Sequence, residues 1–379
     1  MTISEQEREG LLTIDLGALV DNYRWLRGQL RSASECGAVV KADAYGLGVA
    51  QVAPALFTAG CRSFFVATQR EGEQLRSLLP PEATIYVLTG VRPGCEQACA
   101  QAGLIPVLVT TAQVQRWCDF TMGMGGDASL AAPAALKVDS GMTRLGMGGE
   151  EFAALLPQTG LLRRANLQLF LSHLACADEA DHAQNVRQLQ VFSGMLTQLR
   201  KVCPQVRASF ANSAGICLGE EFQFDLVRPG SALYGVNPVP AQPNPMRPVV
   251  NLRLPVLQLR QVSSDCAVGY GATQTAVAGS WLAVVRGGYA DGILRAQSGR
   301  GYGMAVVGNE AVRVPMLGRV SMDTTIFDVS ALSETQRSQL ALIEVLGASV
   351  TVDDVGTAAG TIGYEILTSL GHRYCRQYC

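Results

Sequence analysis

The sequence predicts an α/β chain: a (β/α)8 barrel of the TIM type followed by a smaller β-rich domain. Three observations carry this. Between residues 38 and 229, eight short apolar runs alternate with polar or glycine-containing breaks and helical stretches. Around residues 238–248 the chain turns proline-dense (NPVPAQPNPMRP), as a connection between domains does. Beyond it the apolar runs continue without the helical alternation. Residues 1–243 are therefore assigned to the barrel and 244–379 to the β domain.

Taken in order, a helix precedes the barrel strands. Asp15 is placed to cap it, and Leu19, Tyr23 and Leu26 recur at helical spacing. The eight strand candidates are AVVK (38–41), SFFVAT (63–68), TIYVLT (84–89), IPVLVT (105–110), AALKVD (134–139), LQLFLSH (167–173), VRASFAN (206–212) and FDLVRP (224–229). Short runs buried on both faces and alternating with helices indicate a parallel sheet. A doubly wound open sheet is the competing topology, but no G-x-G-x-x-G follows the first run. In the second domain NLRLPVLQLRQVSS, SWLAVVRGGY, GMAVVGNEAVRVPML and TTIFDVS read as strands. Gly308-Asn309-Glu310 suits a hairpin turn, and a helix is expected near 357–370.

The chain has 379 residues, 48% hydrophobic and 16% charged, ample for a sizeable core and too apolar for disorder. A net charge of −2 removes the electrostatic case for nucleic acid. The start, MTISEQEREG, is polar and acidic, and no run of 18 apolar residues occurs, so a cytoplasmic protein with no membrane partner is expected. The 11 cysteines include no C-x-x-C pair and read as reduced, buried thiols. Two weak three-ligand sets, His173/Cys176/His182 and His372/Cys375/Cys379, match no zinc spacing well, so no metal is predicted. The cysteine-rich end reads as a mobile tail.

A barrel of this type carries its site at the C-terminal ends of its strands. There the sequence puts Lys41 after the first strand, Arg144 beyond the fifth and His173 at the end of the sixth. Asn212 and Ser213 follow the seventh strand, and Arg228 ends the eighth. The last two connections, NSAG (212–215) and RPGSALYG (228–235), are rich in small residues, which let backbone N–H groups approach an anion. A phosphate there and a partly desolvated lysine across the rim point to pyridoxal 5′-phosphate, whose aldehyde forms a Schiff base with lysine.

These residues carry a resemblance. VVKADAYGLG (39–48), LKVDSGMTRLG (136–146), LSHLACAD (171–178), FANSAGI (210–216) and VRPGSALYG (227–235) stand in order in the barrel. VGYGAT (268–273), GYADG (288–292), GRVSMD (318–323) and TIGYE (361–365) follow in the β domain. The set resembles the bacterial alanine racemases over nearly the full chain. The resemblance implies an isomerase dependent on pyridoxal phosphate that interconverts L- and D-alanine by a two-base mechanism, as a homodimer with shared active sites. A broader-specificity or serine racemase of the same family is the alternative. A non-enzymatic barrel that binds the same cofactor would lack the β domain, and a barrel decarboxylase would lack GYGAT. D-Alanine supply as a peptidoglycan precursor and alanine catabolism both remain open as roles.

Residue by residue, the resemblance makes Lys41 the Schiff-base lysine and one base, exchanging the proton of the D-enantiomer. Tyr270, from the other subunit, is the second base and exchanges that of the L-enantiomer. Arg228 matches the contact to the pyridine nitrogen, and Tyr45, Ser213, Gly230, Ser231 and Tyr364 match the phosphate-binding positions. Asn212 joins them as a cofactor contact. Arg144 and the Met322 N–H match the substrate-carboxylate contacts. His173 matches a histidine that lies against the cofactor and hydrogen-bonds the second base. Lys137 occupies a position that is carbamylated in some members, holding Arg144. Tyr289, Asp178, Arg295 and Arg319 fall where the family lines its substrate entrance, with Asp323 beside Met322 as a supporting residue. Asp43, Leu47, Ser321 and Gly363 depart from the commoner family residues and remove no catalytic group.

Overall fold

Seven parallel strands run in chain order around the first domain: Ala38–Val39, Ser63–Val66, Thr84–Val87, Leu104–Leu108, Ala134–Lys137, Leu167–Leu171 and Arg207–Ser209. The eighth, Leu226–Val227, closes the ring. It pairs with Glu35–Cys36, and around it Arg228 N–H donates to the Ala211 carbonyl (3.0 Å) and Val39 N–H to that of Pro229 (2.9 Å). All eight runs read from the sequence are barrel strands. The computed structural model describes residues 6–123, 132–308 and 310–379.

Local chemistry explains the helices between the strands. Asp15 Oδ1 accepts the Ala18 N–H (2.7 Å) and caps Leu16–Gly28, whose Leu19, Tyr23 and Leu26 are buried. Gln69–Leu78 starts on a reciprocal pair, in which Thr68 accepts from the Glu71 N–H and Glu71 accepts from the Thr68 N–H. The longest, Ala183–Arg200, starts at His182, whose Nδ1 accepts the Gln184 N–H (3.1 Å).

The second domain is built on the long strand Val250–Gln261. Its first half pairs antiparallel with Leu11–Ile14 and Leu342–Leu346, its second half with Trp281–Arg286. Thr324–Asp328 extends the sheet beyond Trp281–Arg286, and Tyr302–Val307 and Glu310–Pro315 extend it past Leu342–Leu346. Val307 stands opposite Glu310, while Asn309 of the expected turn lies outside the described residues. One apolar core runs without a break from Leu19 and Phe64 in the barrel to Leu254 and Phe327 in the sheet.

Three features differ from the sequence reading. Residues 11–14, counted with the barrel, are a strand of the second sheet. The helix expected near 357–370 is two, Val352–Ala359 and Gly363–Thr368, broken at Gly360, whose φ of +69° ends the first. The end of the chain is no mobile tail: Cys375–Tyr378 is a strand parallel to Leu11–Ile14, with Leu11 opposite Cys375. CRQY hides this because a four-residue edge strand carries little apolar patterning. All 11 cysteines are free, and among the described residues no group of three or more His, Cys, Asp or Glu is placed to hold a metal. Nor, among those residues, is any helix long and apolar enough to cross a membrane.

Candidate active site

The strand ends open into a cavity of about 660 Å³. Lys41, Lys137, Arg144, His173, Asn212 and Arg228 line it from the barrel, and Tyr45, Ser213, Gly230, Ser231 and Tyr364 line its other side. Four cationic side chains thus face one carboxylate, Glu365, and none of the four forms an ion pair among the described residues. Such a basin favours an anionic ligand.

Lys41 leaves the first strand into an unusual turn. Ala42, Asp43, Ala44 and Tyr45 have φ of +53°, +54°, +54° and +56°: one turn of left-handed helix made entirely of L side chains. At about 1–2 kcal/mol per residue, the turn stores roughly 4–8 kcal/mol that surrounding contacts must offset. At its start Ala42 N–H donates to Glu71 Oε1 (2.9 Å). The reversed hand puts Lys41 at the cavity rim while burying the Tyr45 ring against Tyr234, centroids 4.7 Å apart. Burial, then the nearby Arg144, lowers the Lys41 pKa, so its neutral amine is easier to reach than in water.

Arg228 is 4% exposed and spends its guanidinium on neutral acceptors. Nη1 donates to Ser209 Oγ (2.5 Å), Nη2 donates to the Ser172 carbonyl (2.5 Å), and Nη2 lies 3.4 Å from His173 Nδ1. Nε of this cavity-lining residue has no partner among the described residues, so its N–H is available to a ligand. Burial pushes the Arg228 pKa down to about 9, still high enough to keep the charge at neutral pH. Burial, then Arg228, drives the His173 pKa well below its usual value, so the imidazole is neutral. With Nδ1 accepting from Arg228, the proton sits on Nε2, which becomes a donor.

The opposite wall is a cradle. Ser213 Oγ accepts the N–H groups of Gly230 (2.9 Å) and Ala232 (3.3 Å), leaving its own hydrogen free to donate. A side chain at Gly230 would collide with the Tyr45 hydroxyl, so glycine is what lets the two loops meet. Burial raises the pKa of Tyr45 and of Tyr364, partly offset at Tyr364 by its hydrogen bond with Ser231, so both remain phenols and donors. Hydroxyl and amide donors around a small-residue loop fit a phosphate, and Lys41 across the cavity fits an aldehyde.

Lys137 ends the fifth strand, and burial followed by Arg228, Arg144 and Lys41 pushes its pKa down to about 8. Arg144 hangs from the loop after it. Asp139 organises that loop by accepting the N–H groups of Gly141 (2.7 Å) and Met142 (2.9 Å). Burial would raise the Asp139 pKa, but these amide donors outweigh it and hold the carboxyl below its usual range.

The remaining predicted residues are not among those lining this cavity. Tyr270 is 68% exposed on a turn of the β domain, and the loops carrying Tyr289 and Met322 lie together, with Tyr289 N–H donating to the Ser321 carbonyl (3.0 Å). Arg319 lies against Gly271 beside Tyr270. The Met322 N–H has no partner among the described residues. Arg295 and Asp178 are exposed, Asp178 close enough to Tyr364 to act on its pKa. Arg373 ties the loops of Tyr289 and Met322 together: Nε and Nη2 donate to buried Asp291 (2.6 and 2.7 Å), and Nη1 donates to Asp323 (2.7 Å).

Sequence reasoning missed Arg373, Glu71, Ser172, Ser209 and Tyr234. Ser172 and Ser209 were within reach, since Ser172 directly follows a strand beside His173 and Ser209 ends a strand three residues before Asn212. Tyr234 lies inside the quoted run VRPGSALYG, whereas Arg373 and Glu71 support from other elements and leave no local mark.

Residues 14–238 match the family described as "Alanine racemase, N-terminal domain" and 249–378 the one described as "Alanine racemase, C-terminal domain". The alanine racemase of Rhodospirillum rubrum is 46% identical over 99% of this chain and 97% of its own length. The catabolic alanine racemase of Agrobacterium fabrum is 45% identical over 100% and 95% respectively. The crystal structure of the Bartonella henselae alanine racemase with covalently bound pyridoxal phosphate superposes with a TM-score of 0.90 at 39% identity, covering 98% of this chain and 99% of that one. With both domains matched and nearly every residue covered, the chain belongs to the alanine racemase family.

Proposed function

We propose that the chain is a pyridoxal 5′-phosphate-dependent alanine racemase whose site is completed by a second copy of itself. The observation that carries this reading is the Lys41 amine, partly buried and eased toward neutrality, facing a phosphate cradle and an unpaired Arg228 Nε. Pyridoxal phosphate would be held through its aldehyde by Lys41 until the substrate amine takes the lysine's place, and would then draw electrons from the substrate Cα and make its proton acidic. Tyr45, Ser213, Gly230, Ser231 and Tyr364 would hold its phosphate. Arg228 would face the ring nitrogen as a donor that keeps its proton, since guanidinium stays charged at neutral pH. With its nitrogen unprotonated the ring would be a weaker electron sink, which would disfavour transamination.

Racemisation needs a base on each face of Cα. Lys41 Nζ serves one face. Tyr270 is not among the residues lining the cavity and stands exposed on the β domain. In a homodimer, Tyr270 Oη of a second copy reaches that face. The His173 Nε2–H then donates to it and favours the phenolate. Arg144 and the Met322 N–H would hold the substrate carboxylate, and Tyr289, Arg295, Arg319, Asp178 and Asp323 would shape the entrance. Eleven free cysteines accord with a reducing, cytoplasmic setting.

The reading is tested by borohydride reduction of the purified protein, which should fix the cofactor on the peptide containing Lys41. Label on Lys137 or Lys201 instead would overturn it. Chiral chromatography after incubation with L-alanine, L-serine or L-lysine should find turnover of alanine foremost.

Lys137 extends the proposal. Amid Lys41, Arg144 and Arg228 it supplies one more cation where an anion would serve. A neutral amine adds carbon dioxide, releases one proton to solvent and becomes a carbamate anion, which would pair with Arg144. Because the neutral form grows as pH rises through about 8, a ¹³C-bicarbonate NMR signal at Lys137 should strengthen with pH. No signal at any pH between roughly 7 and 9 would mean a free amine.

A further inference from the structure

We propose that the C-terminal strand Cys375–Tyr378 braces the left-handed turn behind Lys41, with Arg376 and Tyr378 as positioning residues. This rests on the reading of Lys41 as the cofactor lysine. A left-handed turn of L residues carries a steric cost that its internal bonds must offset, among them Ala44 N–H to the Val40 carbonyl (3.0 Å), Leu47 N–H to that of Ala44 (3.2 Å) and Val49 N–H to Asp43 Oδ1 (2.7 Å). Gly46 N–H donates to the Ala42 carbonyl (2.7 Å) and Gly48 N–H to that of Asp43 (2.9 Å). Glu71 holds the start of the turn. Its far end is held from the opposite end of the chain: Arg376 Nη1 donates to the Gly46 carbonyl (2.6 Å) and Tyr378 Oη to that of Leu47 (3.0 Å).

Residues 376 and 378 are two apart, so the strand presents both side chains to the turn from one face. The strand is itself anchored. It runs parallel to Leu11–Ile14, Cys379 N–H donates to the Ile14 carbonyl (3.1 Å), and Leu16 N–H donates to that of Cys379 (2.8 Å). Arg376 Nη2 reaches the Gly371 carbonyl (3.3 Å), while Nε is buried with no partner among the described residues. Its geometry thus serves the carbonyl of the turn at the expense of its own satisfaction. Gly48 completes the fit: at φ of +93°, a side chain there would run into the Tyr378 hydroxyl. Loss of either hydrogen bond frees the end of a turn whose relaxed hand would carry Lys41 elsewhere.

Three full-length variants test the brace: Arg376→Met, Arg376→Lys and Tyr378→Phe. In the holoenzyme Arg376→Met is expected to lower kcat by about 10- to 100-fold, as small misplacements of a reacting group do. KM for L-alanine should stay within about twofold, because uniform binding is untouched. Arg376→Lys should recover part of the loss. In the cofactor-free protein, hydrogen–deuterium exchange should rise over residues 42–48 and stay unchanged over 11–14. Faster exchange of 11–14 together with 42–48 would show general loosening of the sheet and overturn the brace, as would an unchanged kcat. Should Arg376→Met fail to fold, Tyr378→Phe, which removes one hydroxyl, decides by the same exchange pattern. Borohydride label in the wild type separates the two claims. Label on another lysine overturns the reading of Lys41, whereas label on Lys41 with unchanged exchange in the variants overturns the brace alone.

Discussion

Lys41→Ala is expected to lose racemisation altogether, by more than about 10⁴-fold, because the residue fills two roles. As a base it contributes about 10²- to 10⁴-fold, and as the covalent attachment point it carries the cofactor chemistry on top of that. The variant should therefore exchange the Cα proton of neither enantiomer into deuterated water, and its visible absorbance should be lost. The fold should survive: Lys41 is half-buried at the cavity rim, and removing one of four clustered cations relieves repulsion. Retained exchange of D-alanine would move the base elsewhere, with Lys137 the nearest candidate.

Tyr270→Phe should give an asymmetric defect of about 10²- to 10⁴-fold in racemisation. It removes one hydroxyl from a side chain that is 68% exposed and touches no core, so stability should not change. If Tyr270 serves the L-face, the variant should still exchange the Cα proton of D-alanine at a rate set by Lys41. Exchange from L-alanine should nearly vanish. Equal losses for both enantiomers would give Tyr270 a binding role rather than a proton-transfer role, and equal retention would remove it from the reaction.

Much of this was legible in the sequence, for identifiable reasons. The eight barrel strands announce themselves because each is buried on both faces, and Asp15 and Leu19 mark the first helix by cap and period. Strand ends in a barrel converge, so Lys41, His173, Ser213 and Arg228 could be grouped from position alone. The left-handed turn was not legible. Ala42-Asp43-Ala44-Tyr45 contains no glycine, and nothing local tells that tertiary contacts override its hand. The terminal strand was also hidden, because CRQY forms a strand only against Leu11–Ile14, more than 360 residues away in sequence. The motifs of the β domain named Tyr270, Tyr289 and Met322 but could not show that they stand apart from the cavity. That separation is a property of the folded chain.

It also makes the shared site the claim most worth testing, and complementation between two inactive variants does so directly. Lys41→Ala and Tyr270→Phe are each expected to be nearly inactive as homodimers. Mixed after mild dissociation, they should form dimers half of which carry one copy of each. Such a dimer has one site with both bases intact, so about a quarter of wild-type activity should return. No recovery, with mixed dimers demonstrated by native mass spectrometry, would contradict the account: Lys41 and Tyr270 would then have to act within a single chain.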